Sequence, residues 1–205
     1  MGFYALLTVD DTEPATKSPG LDISPPVVQA EKSSWVVQGL PSLPSFGISC
    51  GAGGMKTYTF RSEQWLPRPL EEIFGFFADA GNLEILTPPW LHFKILTAGP
   101  IRMKPGTLID YRIRLHGVPI HWQSEIIVWE PPHRFVDEQR RGPYRLWTHE
   151  HTFSDHEDGT LVGDQVEYAA PGGAMIQKLF VAPDLHRIFD YRRQRLQDIF
   201  GKAGP

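Results

Sequence analysis

Between Phe93 and Tyr168 the chain offers six stretches of strand-like, period-two composition, at 93–98, 107–115, 120–129, 134–139, 144–153 and 160–168. Turn signals separate them at Pro105-Gly106, Gly117-Val118-Pro119, Pro131-Pro132, Gly142-Pro143 and Asp158-Gly159. A parallel crossover needs about a dozen residues or more, so connections this short dictate an antiparallel meander. Few folds accommodate six such strands in one run, and what flanks them narrows the choice further.

Upstream, residues 57–65 alternate like another strand, with Tyr58, Phe60 and Ser62 on one side. Pro67-Arg68-Pro69 leads into a helix carrying Leu70, Ile73, Phe74 and Phe77 at i, i+3, i+4 and i+7. A second short helix is expected over 81–86, stopped by Pro88-Pro89. Downstream, Leu185, Ile188, Phe189, Arg192, Leu196, Ile199 and Phe200 form the stripe of a long helix that begins near Pro183-Asp184. The order is strand, two short helices, six strands, long helix. It predicts an α+β helix-grip domain, in which a curved antiparallel sheet of about seven strands encloses a cavity beneath the C-terminal helix.

Before Met55 the pattern is different. Pro, Gly and Ser recur in groups such as Ser24-Pro25-Pro26 and Gly51-Ala52-Gly53-Gly54, and neither helical nor strand periodicity persists. Residues 1–54 are therefore expected to be a disordered Pro/Gly/Ser-rich extension, with the ligand-binding domain at 55–205 and Met55 a candidate natural start. The run Phe3–Val9 lacks a basic flank and ends at Asp10-Asp11, against a secretory signal. The lone Cys50 excludes an internal disulfide and any multi-cysteine zinc site. A net charge of −4 argues against nucleic acid as a partner, and no apolar run reaches the ~20 residues of a membrane span. A soluble, cytoplasmic protein is the expectation, without stable membrane insertion.

Several phrases give the chain a family likeness. They include Leu86-Thr87-Pro88-Pro89-Trp90, Gly117-Val118-Pro119 with Trp122, Phe135-Val136-Asp137-Glu138-Gln139, Trp147-Thr148-His149-Glu150-His151 and Asp164-Gln165-Val166-Glu167-Tyr168. On these the region 56–200 resembles the START/Bet v1-like (SRPBCC) superfamily, in a bacterial ligand-binding branch related to polyketide cyclase/dehydrase proteins. The resemblance implies a hydrophobic cavity under the last helix for an apolar or amphipathic molecule, since relatives in the wider superfamily bind lipids, quinones, hormones and aromatic polyketides. It carries no single reaction, because a fold hosts many functions.

The strand registers nominate the residues of that cavity. Successive side chains of a strand alternate between its faces. Trp147, His149, His151 and Phe153 therefore share one face, and their aromatic character turns it inward. The same test turns Phe135, Asp137 and Gln139 inward, then Trp122, Ser124, Ile126 and Val128, then Tyr111, Ile113 and Leu115, and then Val162, Asp164, Val166 and Tyr168. The ligand-binding set is Trp122, Phe135, Asp137, Gln139, Trp147, His149, His151, Asp164, Tyr168 and, from the helix, Phe189. An apolar guest would also lie against Phe74, Phe77 and Leu185.

The polar members admit three readings: buried groups paired for structure, placed groups that orient a ligand, or a His149/His151 acid–base pair oriented by Asp137 or Asp164. His149-x-His151 with an inward carboxylate also has the spacing of an open metal site, but a two-histidine pair is common by chance, so no metal or cofactor is assigned. Arg187, Arg192, Arg193 and Arg195 are read as a basic outer face of the last helix. The expected function is binding of a small, mainly apolar or amphipathic molecule. The alternatives are a cyclase/dehydratase-type enzyme using the same pocket and a protein-interaction module with a collapsed one.

Overall fold

The computed structural model describes residues 55–201 together with the backbone of 45–50. One antiparallel sheet of eight strands runs in the order β1-β2-β8-β7-β6-β5-β4-β3. The strands are β1 (Ser45–Cys50), β2 (Lys56–Leu66), β3 (Lys94–Ile95), β4 (Leu108–Leu115), β5 (Val118–Glu130), β6 (Arg134–Arg141), β7 (Leu146–His156) and β8 (Gly159–Ala169). From β4 to β8 each strand pairs with the next, as the short connections require, and β2 pairs with β8. The early strand and the last one thus lie side by side, and the helices between β2 and β3 carry the chain to the far edge of the sheet.

The helices follow from apolar spacing. α1 (Leu70–Ala78) buries Leu70, Ile73, Phe74 and Phe77, one face of 3.6-residue periodicity. A 3₁₀ turn over Ala80–Asn82 runs into α2 (Leu83–Leu86), and a second such turn covers Pro89–Leu91. The long helix α4 (Ala182–Phe200) buries Leu185, Phe189, Leu196 and Phe200. It is preceded by α3 (Gly173–Ile176) and a π turn at Gln177–Val181, so helical structure starts well before Pro183. Gly172 and Gly173 both have positive φ (87° and 73°), the sharp entry that leads from β8 into this segment.

Several expectations are corrected. The strand expected at 93–98 shortens to Lys94–Ile95, because the amides of Leu96 and Thr97 both turn to the Asp110 carbonyl (2.8 and 3.2 Å) and the ladder stops. Val128 does not continue the inward register of β5. The pairing with β6 shifts between Ile126 and Val128, and Trp129 turns inward instead, packing on Phe74 and Phe135. Ser45–Cys50, within the segment read as lacking regular structure, pairs with Lys56–Arg61 along its whole length. The remainder of the expected 1–54 extension lies outside the described residues.

Two apolar clusters lie against the inner face of the sheet. One joins α1 and the end of α4 to β6–β8 through Phe74, Phe77, Phe135, Phe153, Leu196 and Phe200. The other joins the start of α4 to β2 and β8 through Phe60, Val166, Tyr168, Leu185 and Phe189. No helix among the described residues is long and apolar enough to cross a membrane.

Candidate functional site

Strand pairing alone assembles the polar centre. Asp137 of β6 lies directly across from His149 of β7, and Asp164 of β8 lies directly across from His151. All four side chains project from the inner face, so each aspartate is opposite one imidazole and diagonal to the other. The rings of His149 and His151 are 3.8 Å apart, centre to centre. Phe135 stacks on His151 at 4.2 Å, and Phe189 of α4 meets His149 edge-on at 5.7 Å.

The two aspartates hold this pair differently. Oδ1 of Asp164 is 2.9 Å from His149 Nε2 and 2.8 Å from His151 Nδ1, so one oxygen ties both rings. Arg192 of α4 comes within 3.7 Å of the same oxygen and lies over the Phe77 ring at 5.1 Å. Burial by itself raises the Asp164 pKa, but the Arg192 charge and the two imidazoles hold it well below the usual carboxylate range. Asp137 is ionised on similar grounds: burial works against its charge, and His151 and His149 outweigh that to lower its pKa. Its Oδ2 nevertheless stands 3.6 Å from His151 Nε2 and 3.9 Å from His149 Nδ1, beyond hydrogen-bond length. Oδ1 of Asp137 accepts a hydrogen bond from the Ser124 hydroxyl (3.0 Å), which in turn accepts from Trp122 Nε1 (3.2 Å).

Burial, and secondarily the charge of His151, push the His149 pKa down to about 4 against the opposing pull of Asp164 and Asp137. At neutral pH that ring is uncharged. Tyr111, whose hydroxyl is 3.3 Å from Ser124 Oγ, is held well above the ordinary phenol range by burial and by the Asp137 charge. It stays a neutral donor or acceptor.

Asp137, His149, His151, Arg192, Ser124 and Tyr111 line a cavity of about 190 Å³. Most of the remaining wall is apolar, from Phe77, Leu86 and Leu91 on the helical side, Ile109, Ile113 and Ile126 on the sheet, and Leu185 and Ile188 on α4, with Asp79, Asn82, Thr87 and Asp184 as further polar lining residues. Of the residues nominated from sequence, Trp122, Phe135, Asp137, Trp147, His149, His151 and Phe189 line it together.

Asp164, Gln139 and Tyr168 do not line it. Asp164 sits behind the histidines. Gln139 braces the β6–β7 turn, donating to the Tyr144 carbonyl (2.7 Å) and accepting from its amide (3.3 Å). Tyr168 is fully buried beneath the start of the last helix and accepts from Gln177 (3.2 Å). Phe74 belongs to the neighbouring core, not to the wall.

Arg192 corrects the reading of the last helix as basic only on its outer face. It points inward, lines the cavity, and its Nε is buried with no hydrogen-bond acceptor among the described residues. The signal was present in the sequence: Arg192 falls in the same stripe as Leu185, Phe189 and Leu196.

No protein-family model and no curated protein matches the sequence. Solved structures do match in shape. Ms6760 from Mycobacterium smegmatis aligns over 77% of this chain and 97% of its own, with a TM-score of 0.53 at 17% identity. Ara h 8.0201 aligns over 70% and 97%, with a TM-score of 0.52 at 13% identity. The major latex-like protein 151 of Panax ginseng aligns over 70% and 97%, with a TM-score of 0.54 at 9% identity. At such identities the likeness is one of architecture, and the architecture is the START/Bet v1-like helix-grip fold.

Proposed function

We propose that the chain binds a small, mainly apolar molecule with one polar end, held between the sheet and α4. The observation that carries the reading is the mixed character of the cavity: apolar and aromatic side chains make up most of its wall, and Asp137, His149, His151 and Arg192 lie close together within it. Ligand sites pair a large apolar lining with a few placed polar groups in this way. The volume supports a small guest. About 190 Å³ exceeds the ~150 Å³ of a cavity that takes benzene and falls short of the roughly 300 Å³ at which drug-sized pockets begin. A one- or two-ring aromatic or a short acyl chain fits; a sterol or a long-chain lipid does not. Burying about 200 Å² of apolar ligand surface contributes roughly 5 kcal/mol before ordering costs, and one or two hydrogen bonds at the polar end bring binding into the micromolar range.

Trp122 and Trp147 in the wall supply the assay. Titration of the full chain with 1-naphthol and 2-naphthoic acid should perturb their fluorescence saturably, while palmitate should not. Ile113→Phe, which narrows the void, should weaken the response. Equal binding of palmitate and the naphthalenes, or a response untouched by Ile113→Phe, would contradict the proposal.

A further inference from the structure

We propose that His149 Nδ1, His151 Nε2 and Asp137 Oδ2 form a binding site for one divalent transition-metal ion, with its open coordination positions facing the cavity. The three residues each present a ligand atom within 4.8 Å of the other two. The outer contacts select which atoms those are. An ionised Asp164 only accepts hydrogen bonds and stands 2.9 Å from His149 Nε2 and 2.8 Å from His151 Nδ1, closer than the Arg192 guanidinium is to His151 Nδ1 (3.5 Å), so those two nitrogens carry the protons. The opposite nitrogens then present lone pairs, and both face the free oxygen of Asp137 at 3.9 and 3.6 Å.

Left without a cation, that arrangement points three electron-rich atoms at one buried spot. A tetrahedral ion with bonds of about 2.0–2.1 Å holds its ligand atoms about 3.3 Å apart, so the two separations between Asp137 and the imidazoles need shorten only by a few tenths of an ångström. Metal-ligating histidines characteristically donate their second N–H to a carboxylate, and ligating carboxylates are themselves hydrogen-bonded. Asp164 serves both imidazoles in the first role, and Ser124 serves Asp137 in the second. Two imidazoles and one carboxylate suit zinc, iron(II) or cobalt(II). Trp122, Tyr111 and Arg192 line the same cavity.

The test uses the full chain stripped with chelator and no organic ligand, so its outcome is independent of what the cavity holds. Equilibrium dialysis against micromolar Zn²⁺ with elemental analysis should return one ion per chain, and Co²⁺ should give the visible absorption of a low-coordinate N/O site. His149→Gln and Asp137→Asn should abolish both. Asp164→Asn, which keeps all three donors, should weaken binding about 10- to 100-fold. Ser124→Ala should weaken it less, providing a mild variant should the others fail to fold. The surface variant His121→Gln should bind as the parent does. An ion retained by Asp137→Asn, or no ion taken up by a parent with native circular dichroism, would overturn the assignment.

Discussion

Acidification should destabilise the metal-free protein through His149. The ring is uncharged in the folded state because burial among Phe189, Trp147 and His151 disfavours the imidazolium, which places its pKa at about 4 against about 6.5 for an imidazole in water. Below pH 6.5 the unfolded chain takes up a proton that the folded chain refuses, so stability falls with pH and the loss levels off below about pH 4. Integrated over that window, this one site is worth about 2 kcal/mol at pH 5 and about 3 kcal/mol at pH 4. The groups facing His149 do not mask the effect. Asp164 and Asp137 have lowered pKa values, so they remain ionised across the window and their own contribution is lost only at more acidic pH. Arg192, the third of these charged groups, stays cationic throughout. The measurement is urea unfolding at pH 7, 5 and 4 in the presence of chelator, for the parent and for His149→Gln. The variant keeps a polar ring-sized group but has nothing to titrate, so its stability should fall by about 3 kcal/mol less than the parent's between pH 7 and pH 4. Parallel pH profiles for the two proteins would refute the argument, because the burial of an uncharged imidazole would then have no energetic consequence.

Two further predictions test the frame that holds the site. Phe153 is 2% exposed and meets the rings of Phe74, Phe77 and Phe135, so Phe153→Ala should cost about 3–5 kcal/mol in thermal or denaturant unfolding, whereas Met175→Ser, at 72% exposed, should stay within about 0.5 kcal/mol. Gly159 opens β8 where an added Cβ would stand 2.3 Å from the Leu66 carbonyl oxygen, so Gly159→Ala should destabilise by about 1–3 kcal/mol, and a neutral result would mean that the β2–β8 edge gives way easily there.

Much of this was legible from periodicity, and the failures have definite causes. Where both faces of a strand differ clearly in polarity, as at Trp147-Thr148-His149-Glu150-His151, alternation placed the side chains as the structure has them: His149 and His151 are buried, while Thr148 and Glu150 are only partly covered and Thr152 is exposed. Alternation fails at a bulge, since an extra residue inverts the faces beyond it; Val128 and Trp129 exchange roles for that reason. It also cannot rank inward residues by depth. Gln139, Asp164 and Tyr168 all face inward, but the turn after β6, the second layer behind the histidines and the start of the last helix claim them respectively. Arg192 was misread because charge was allowed to outweigh position in a helical stripe. A long guanidinium can be buried when a carboxylate and an aromatic face receive it, and Asp164 and Phe77 do so here.

The way this sheet treats its other histidines sharpens the reading of the central pair. At the surface His116 meets Asp184 at 2.7 Å and His121 meets Asp110 at 2.9 Å, and within the core Asp164 meets both rings at 2.8–2.9 Å. Among the described residues, the histidine–aspartate contacts that need only stability are therefore made at full hydrogen-bond strength. Asp137 is the exception. It is on the strand adjacent to β7, directly opposite His149, already oriented by Ser124, and it still stops 3.6–3.9 Å short. A buried network kept for rigidity gains by closing its last bonds, because an unpaired charged oxygen in a low-dielectric interior is costly. Its imidazole contacts close on the Asp164 side and leave their gap on the side of Asp137, which lines the cavity. That asymmetry is what a site for an exchangeable cation requires, and a purely structural polar core has no use for it.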